Sequence, residues 1–166
     1  MGFIVNNNPT QLDRLDRRLL KLLQANAGLS NLELAEAVGL SPTPCARRVK
    51  RLFTEGVITH QVAMVDPAKL GLHLTAHISV TMDRHTPDRF AAFEEQIREL
   101  PEVVDCCVVT GQSADYLLKA LVRDMAHYET FLLGKLTRIE GVTGVHSSFE
   151  LRRVVSRTAL PVEDAG

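Results

Sequence analysis

Between Leu72 and Asp83 apolar and polar residues alternate without a break. Leu72, Leu74, Ala76, Ile78, Val80 and Met82 take one parity; His73, Thr75, His77, Ser79, Thr81 and Asp83 take the other. Successive side chains of an extended strand point to opposite faces, so this stretch specifies a strand with one buried face. Such a strand needs neighbours in a sheet and a layer to cover it. The residues that follow supply both. Pro87 opens a helix with Phe90, Phe93, Ile97 and Leu100 at helical spacing, and Pro101 ends it. Val103 to Thr110 and Tyr116 to Val122 read as two further strands. A second helix carries Met125, Tyr128, Leu132, Leu136 and Ile139, and a last strand holds Val145, Ser147, Phe149 and Leu151.

The predicted order is β-α-β-β-α-β, the ferredoxin-like arrangement, in which two helices cover one face of a four-stranded sheet. The other face should be polar if it meets water. The strands read otherwise. Val104, Cys106 and Val108 oppose Val103, Cys107 and Val109 on one strand, and Leu117 and Leu121 oppose Leu118, Ala120 and Val122 on the next. Apolar residues of both parities call for a partner sheet, so a homodimer or larger assembly is expected. Alternation alone leaves open which parity meets the helices.

Upstream the period changes to that of helices. Leu12, Leu15, Leu19, Leu22 and Leu23 share one arc, with Asp13, Arg14, Asp16, Arg17 and Arg18 elsewhere, and Gly28 reads as the stop. Asn31 reads as the cap of a short helix from Leu32 to Val38. Gly39-Leu40-Ser41 is a tight connector, Ser41 a cap, and Pro42 suits the first turn of a third helix ending near Thr54 and Gly56. On that helix Cys45, Val49, Leu52 and Phe53 gather on one side. Thr43, Pro44, Arg47, Lys50 and Arg51 gather on the other, with Arg48 at their flank, and no acidic residue interrupts Ser41 to Thr54. Docking in the DNA major groove requires this pattern. The apolar side anchors the helix, N-terminal side chains reach base edges, and Arg and Lys meet phosphates. Ser41, Thr43, Pro44, Arg47, Arg48, Lys50 and Arg51 are therefore the candidate DNA contacts. Val57 to Val65 suit an extended wing and linker, bounded by Asp66-Pro67.

The net charge of −1 conceals an asymmetry: residues 1–60 hold eight Lys/Arg against five Asp/Glu, and the remainder eleven against fifteen. A basic module is joined to an acidic one, as a tethered DNA reader would be. Three cysteines, Cys45, Cys106 and Cys107, form no C-x-x-C pair and suit a reducing cytoplasm. The six histidines are scattered, so no metal site is expected. No apolar run reaches the roughly 18–20 residues of a membrane span, and the N-terminus lacks a signal-peptide pattern. With no nucleophile–base pair, metal cluster or phosphate loop, an enzyme is not expected. The acidic sheet domain also lacks the exposed aromatics on which RNA bases stack.

The stretch LDRLDRRLLKLLQANAGLSNLELAEAVGLSPTPCARRVKRLFTEGVI, above all the LSPTPC that opens the third helix, resembles the N-terminal domain of the Lrp/AsnC family of feast/famine regulators. The resemblance covers roughly residues 11–155. It implies an α+β chain: a winged helix-turn-helix over 1–60, a linker strand or hinge over 61–71, a ferredoxin-like sensing and oligomerisation domain over 72–156, and a tail over 157–166. It further implies double-stranded DNA and a small amino acid as partners, no cofactor, dimers paired through their sheets, and octamers of four dimers in the cytoplasmic nucleoid. The family's ligand loop falls on Thr110, Gly111, Gln112, Ser113, Asp115 and Tyr116. There Asp115 would meet the ligand's ammonium group, and loop N–H groups its carboxylate. Three residues separate Gly111 from Asp115, one more than is usual in the family. The function so implied is sequence-specific, amino-acid-modulated transcription regulation; the alternative is a ligand-independent architectural or autoregulatory DNA binder of the same family.

Overall fold

The computed structural model describes residues 11–111 and 114–162. The chain divides after Ala63 and again after Val154, and the residues from Val155 onward group with the N-terminal unit. That grouping differs from the separate tail expected from sequence.

The first unit packs three helices, α1 (Arg14–Ala25), α2 (Asn31–Val38) and α3 (Pro42–Thr54). Asp13 caps α1: its carboxylate accepts from Asp16 N at 2.9 Å, while the Asp16 carboxylate accepts from Asp13 N at 3.1 Å. The two acids thereby satisfy donors that a helix start leaves orphaned. Two boundaries move. Asn26, not Gly28, ends α1. Ser30, not Asn31, caps α2, and its reciprocal bonds with Glu33 leave Asn31 as the first helical residue. Gly39 turns the chain toward α3 at φ 73°, where a side chain would be strained. Ser41 occupies the cap position of α3 without a side-chain cap bond. Leu19, Leu23, Leu34, Val38, Cys45 and Leu52 close the core.

Beyond α3, Val57 and Ile58 pack against this core, and Ile58 N donates to Leu52 O at 3.0 Å. No strand forms between Val57 and Val65, where a wing and linker strand were expected. A strand needs a neighbour for its backbone N–H and C=O groups, and among the described residues this segment pairs with none.

The second unit is a four-stranded antiparallel sheet in the order β2-β3-β1-β4. Its elements are β1 (Leu74–Met82), α4 (Pro87–Arg98), β2 (Val103–Val108), β3 (Tyr116–Val122), α5 (Met125–Gly134) and β4 (Val142–Phe149), the ferredoxin-like order. The last strand stops two residues early: its pairing ends at Phe149, and Leu151 beyond it is almost fully exposed. Ala76, Ile78, Val80 and Met82 face the helices, as their parity predicts, together with Tyr116, Leu118, Ala120 and Val122.

Register resolves the parity left open above. Opposite residues share a face. The uncovered face therefore carries His77 beside Lys119 and Ser148, Ser79 beside Leu117 and His146, and Thr75 beside Leu121. It is mixed rather than apolar. The expectation of two apolar faces holds on β3, where Leu118, Ala120 and Val122 are buried by the helices and Leu117 and Leu121 flank Lys119 on the uncovered face. It fails on β2 through a bulge between Val103 and Asp105. The extra residue breaks strict alternation, so Val103 and Cys106 pack on the same core.

Candidate functional site

The recognition helix α3 is fixed from behind by charge. Asp16 is completely buried, and its carboxylate accepts from Arg48 at 2.9 Å and from Arg51. Arg48 also reaches Asp13 at 2.6 Å. A backbone N–H from Asp16 and the Arg48 guanidinium hold the Asp13 carboxyl below its ordinary pKa; the hydrogen bonds to Asp13 and Asp16 raise that of Arg48. Asn31 Nδ2 donates to Pro42 O at 2.8 Å, and Arg18 donates to Ala37 O at 2.7 Å. These bonds tie α1 to α2 and α2 to α3.

The predicted DNA-contacting residues consequently separate into two groups. Ser41, Thr43, Arg47 and Lys50 are exposed, and Pro44 is half-buried. Among the described residues, no carboxylate pairs with Arg47 or Lys50. Arg48 and Arg51 keep part of their surface but direct guanidinium nitrogens at Asp16. The basic arc is real, and half of its charge is committed to the fold.

The predicted effector loop joins β2 to β3. Thr110 and Gly111 are exposed, while Gln112 and Ser113 lie outside the described residues. Asp115 is mostly buried and fully engaged. Its Oδ2 accepts from Met82 N at 2.7 Å, and its Oδ1 meets His85 Nε2 at 2.8 Å. Its backbone N–H donates to Val80 O, and its carbonyl accepts from Val109 N, each at 2.9 Å. Tyr116 points away from the loop into the core, edge-on to Phe90, and its hydroxyl donates to Glu94 Oε1 at 3.3 Å. Burial and the Glu94 charge raise its pKa.

Between α4 and the edge strand β2 lies a cavity of about 430 Å³, lined by Glu94, Ile97, Arg98, Cys106, Val108 and Tyr116 among others. Glu94 pairs with Arg98 at 3.1 Å, and burial pushes the Cys106 thiol up to about 11, keeping it protonated and unreactive at neutral pH. Tyr116 connects this cavity to the loop. Sequence reasoning missed Asp16, His85, Glu94 and Arg98. Only Asp16 left a trace: with Asp13 it makes the D-x-x-D pattern that precedes an apolar helix.

Residues 12–59 match the family model of the winged helix-turn-helix DNA-binding domain, and residues 75–160 that of the Lrp/AsnC ligand-binding domain. The Bkd operon transcriptional regulator of Pseudomonas aeruginosa is 41% identical over 92% of this chain and 99% of its own length. The leucine-responsive regulatory protein of Escherichia coli is 38% identical over 92% of each chain. Among solved structures, a transcriptional regulator of Neisseria meningitidis in complex with L-Met superposes with a TM-score of 0.86 at 39% identity, covering 90% of this chain and 96% of that one. In helix order, sheet order and the sequence of both halves, the chain belongs to the Lrp/AsnC family.

Proposed function

We propose that this protein is a non-enzymatic, sequence-specific transcription regulator of the bacterial cytoplasm whose DNA binding responds to a small amino acid. The observation that carries the DNA half is the solvent-facing arc of α3, Ser41, Thr43, Pro44, Arg47 and Lys50, on a helix held rigidly from behind. Ser41, Thr43 and Pro44 lie at the end that approaches base edges, and Arg47 and Lys50 face phosphates; Arg48 and Arg51 contribute charge while positioning the helix. Regulatory relatives and the L-Met complex of a structural neighbour support the effector half. Titrating labelled DNA from the gene's own upstream region tests the reading. Specific binding that survives excess unrelated DNA is expected; equal competition by any sequence would sink it.

The effector reading assigns the ligand's ammonium group to the Asp115 carboxylate, with N–H groups around Gly111 for its carboxylate. Met82 N and His85 already occupy that carboxylate, so the ligand must compete with His85 or be met beside it. Asp115→Asn keeps the shape and removes the charge. It should weaken an amino acid at least about tenfold in calorimetry while leaving DNA affinity nearly unchanged. Equal affinity in wild type and variant would remove the ammonium role.

A second reading, ligand-independent DNA binding, is favoured by that same full engagement of Asp115 together with the longer loop. Calorimetry against each of the twenty amino acids decides between the two, since silence from all of them selects the second.

Assembly as a homodimer, and as an octamer of four dimers, belongs to the same proposal. Leu117 and Leu121 lie on the sheet face that no helix covers, and Val104 and Val108 on edge strand β2 are more than half exposed. Light scattering at micromolar concentration should report a dimer or larger without DNA or ligand, and a monodisperse monomer would overturn the assignment. Two-fold pairing then implies palindromic half-sites one helical turn apart, or a whole number of turns.

A further inference from the structure

On the first unit a groove of about 700 Å³ runs between α1 and the segment after α3, with Leu12, Leu20 and Gln24 on one wall and Val57, Ile58 and Val62 on the other. The chain's own residues Thr158 and Leu160 to Val162 line it as well. The decisive interaction is made by one amide side chain. Gln24 Oε1 accepts from Leu160 N at 2.7 Å, and Gln24 Nε2 donates to Leu160 O at 3.2 Å. A single side chain thus answers both backbone groups of one residue, as a neighbouring strand would. The Leu160 side chain itself faces solvent, 74% exposed, so it is the backbone of this residue that is held. Val162, half-buried, packs on the core of the three-helix unit and supplies the apolar anchor. Pro161 biases Leu160 toward the extended conformation that such pairing needs.

We propose that this groove is a docking site for the chain's own C-terminal segment, Thr158 to Val162, and that the docked tail is a second tether between the sensing unit and the DNA reader. The topology gives the tether its meaning. β4 ends at Phe149, which pairs with Ala76 near the start of β1, so the chain enters and leaves the sheet at the same end. Two connections, residues 64–73 and 150–157, then run from that end back to the DNA-reading unit. A docked tail limits rotation about the first connection, and a released tail leaves a single flexible link. The inference stands whether or not an amino acid binds near Asp115.

Three full-length variants test it: Gln24→Leu, Leu160→Pro and Leu160→Ala. Gln24 lies in the last turn of α1, and a leucine there is a good helix former, so circular dichroism should show the helices intact. Leu160→Pro lies outside every helix and strand, so it reports even if Gln24→Leu folds poorly. Hydrogen–deuterium exchange is read by mass spectrometry on the tail beyond Arg157 and on residues 57–62. Gln24→Leu and Leu160→Pro should each speed exchange of both segments by about tenfold, while Leu160→Ala should match wild type. Exchange in wild type as fast as in the first two variants would overturn the docking. Release by Leu160→Ala as complete as by Leu160→Pro would overturn recognition through the backbone.

Discussion

Asp16→Ala is expected to melt the three-helix unit on the order of 12–24 °C below wild type while the β-sheet unit keeps its own transition. Asp16 is fully buried and accepts from Arg48, Arg51 and the backbone of Asp13 at once. Removing one member of a buried ion pair costs about 3–5 kcal/mol, because the remaining charge loses its partner in a poorly hydrated place. Arg48 and Arg51 are partly exposed and recover some hydration, so the lower end, about 3 kcal/mol, applies. At roughly 4–8 °C per kcal/mol for a unit this small, the shift follows. Asp16→Asn, which keeps an acceptor for the cap but loses the charge, should fall between. Differential scanning calorimetry on the full chain checks both. A melting curve for Asp16→Ala that overlays wild type would mean that the Asp16–Arg48–Arg51 cluster does not hold α3.

Replacing Arg47 and Lys50 together by alanine should do the opposite: no loss of stability, and a large loss of DNA affinity. Both side chains are exposed on the solvent side of α3. A phosphate that no longer meets a protein cation keeps its counterion on binding. The slope of log affinity against log salt should therefore fall by about one per replaced residue in each bound site. In a dimer the double variant withdraws four cations from the DNA, enough to weaken binding roughly a hundredfold or more at moderate salt. Fluorescence anisotropy across a salt series measures slope and affinity together. An unchanged slope would place the phosphates elsewhere on the protein. Arg51→Ala differs in kind, since it loses its tie to Asp16 and should lower the melting temperature as well as affinity.

The contrast between these two results marks where the sequence could be read and where it could not. Apolar spacing placed α1, α2, α3 and the strands, because burial repeats with the period of the backbone that carries it. It placed Arg47 and Lys50 correctly on the solvent side for the same reason. Spacing failed at Asp16. A carboxylate among Asp13, Arg14, Arg17 and Arg18 reads as one more solvated charge, and its burial depends on two arginines more than thirty residues away. It failed again at β2, since a bulge leaves no mark in an apolar run such as Val103-Val104 but moves Cys106 onto the core side. The loop at Asp115 was legible as a turn with a carboxylate. That His85 and Met82 N would claim its two oxygens depends on the β1–α4 connection folding beside it, which no local pattern encodes.

The pairing of Ala76 with Phe149 has a consequence for how such a protein can be altered. Opposite residues of an antiparallel pair lie about 5 Å apart, so the sheet begins and ends at nearly one point. Because residues from Val155 onward group with the helices, the sheet unit is an insert within the helical one. Domains whose termini lie close together tolerate insertion and exchange. The stretch from Met64 to Val154 is therefore a cassette. A short flexible bridge from Ala63 to Val155 should leave a self-contained DNA reader, and a different sensor with adjacent ends should be graftable at the same two points.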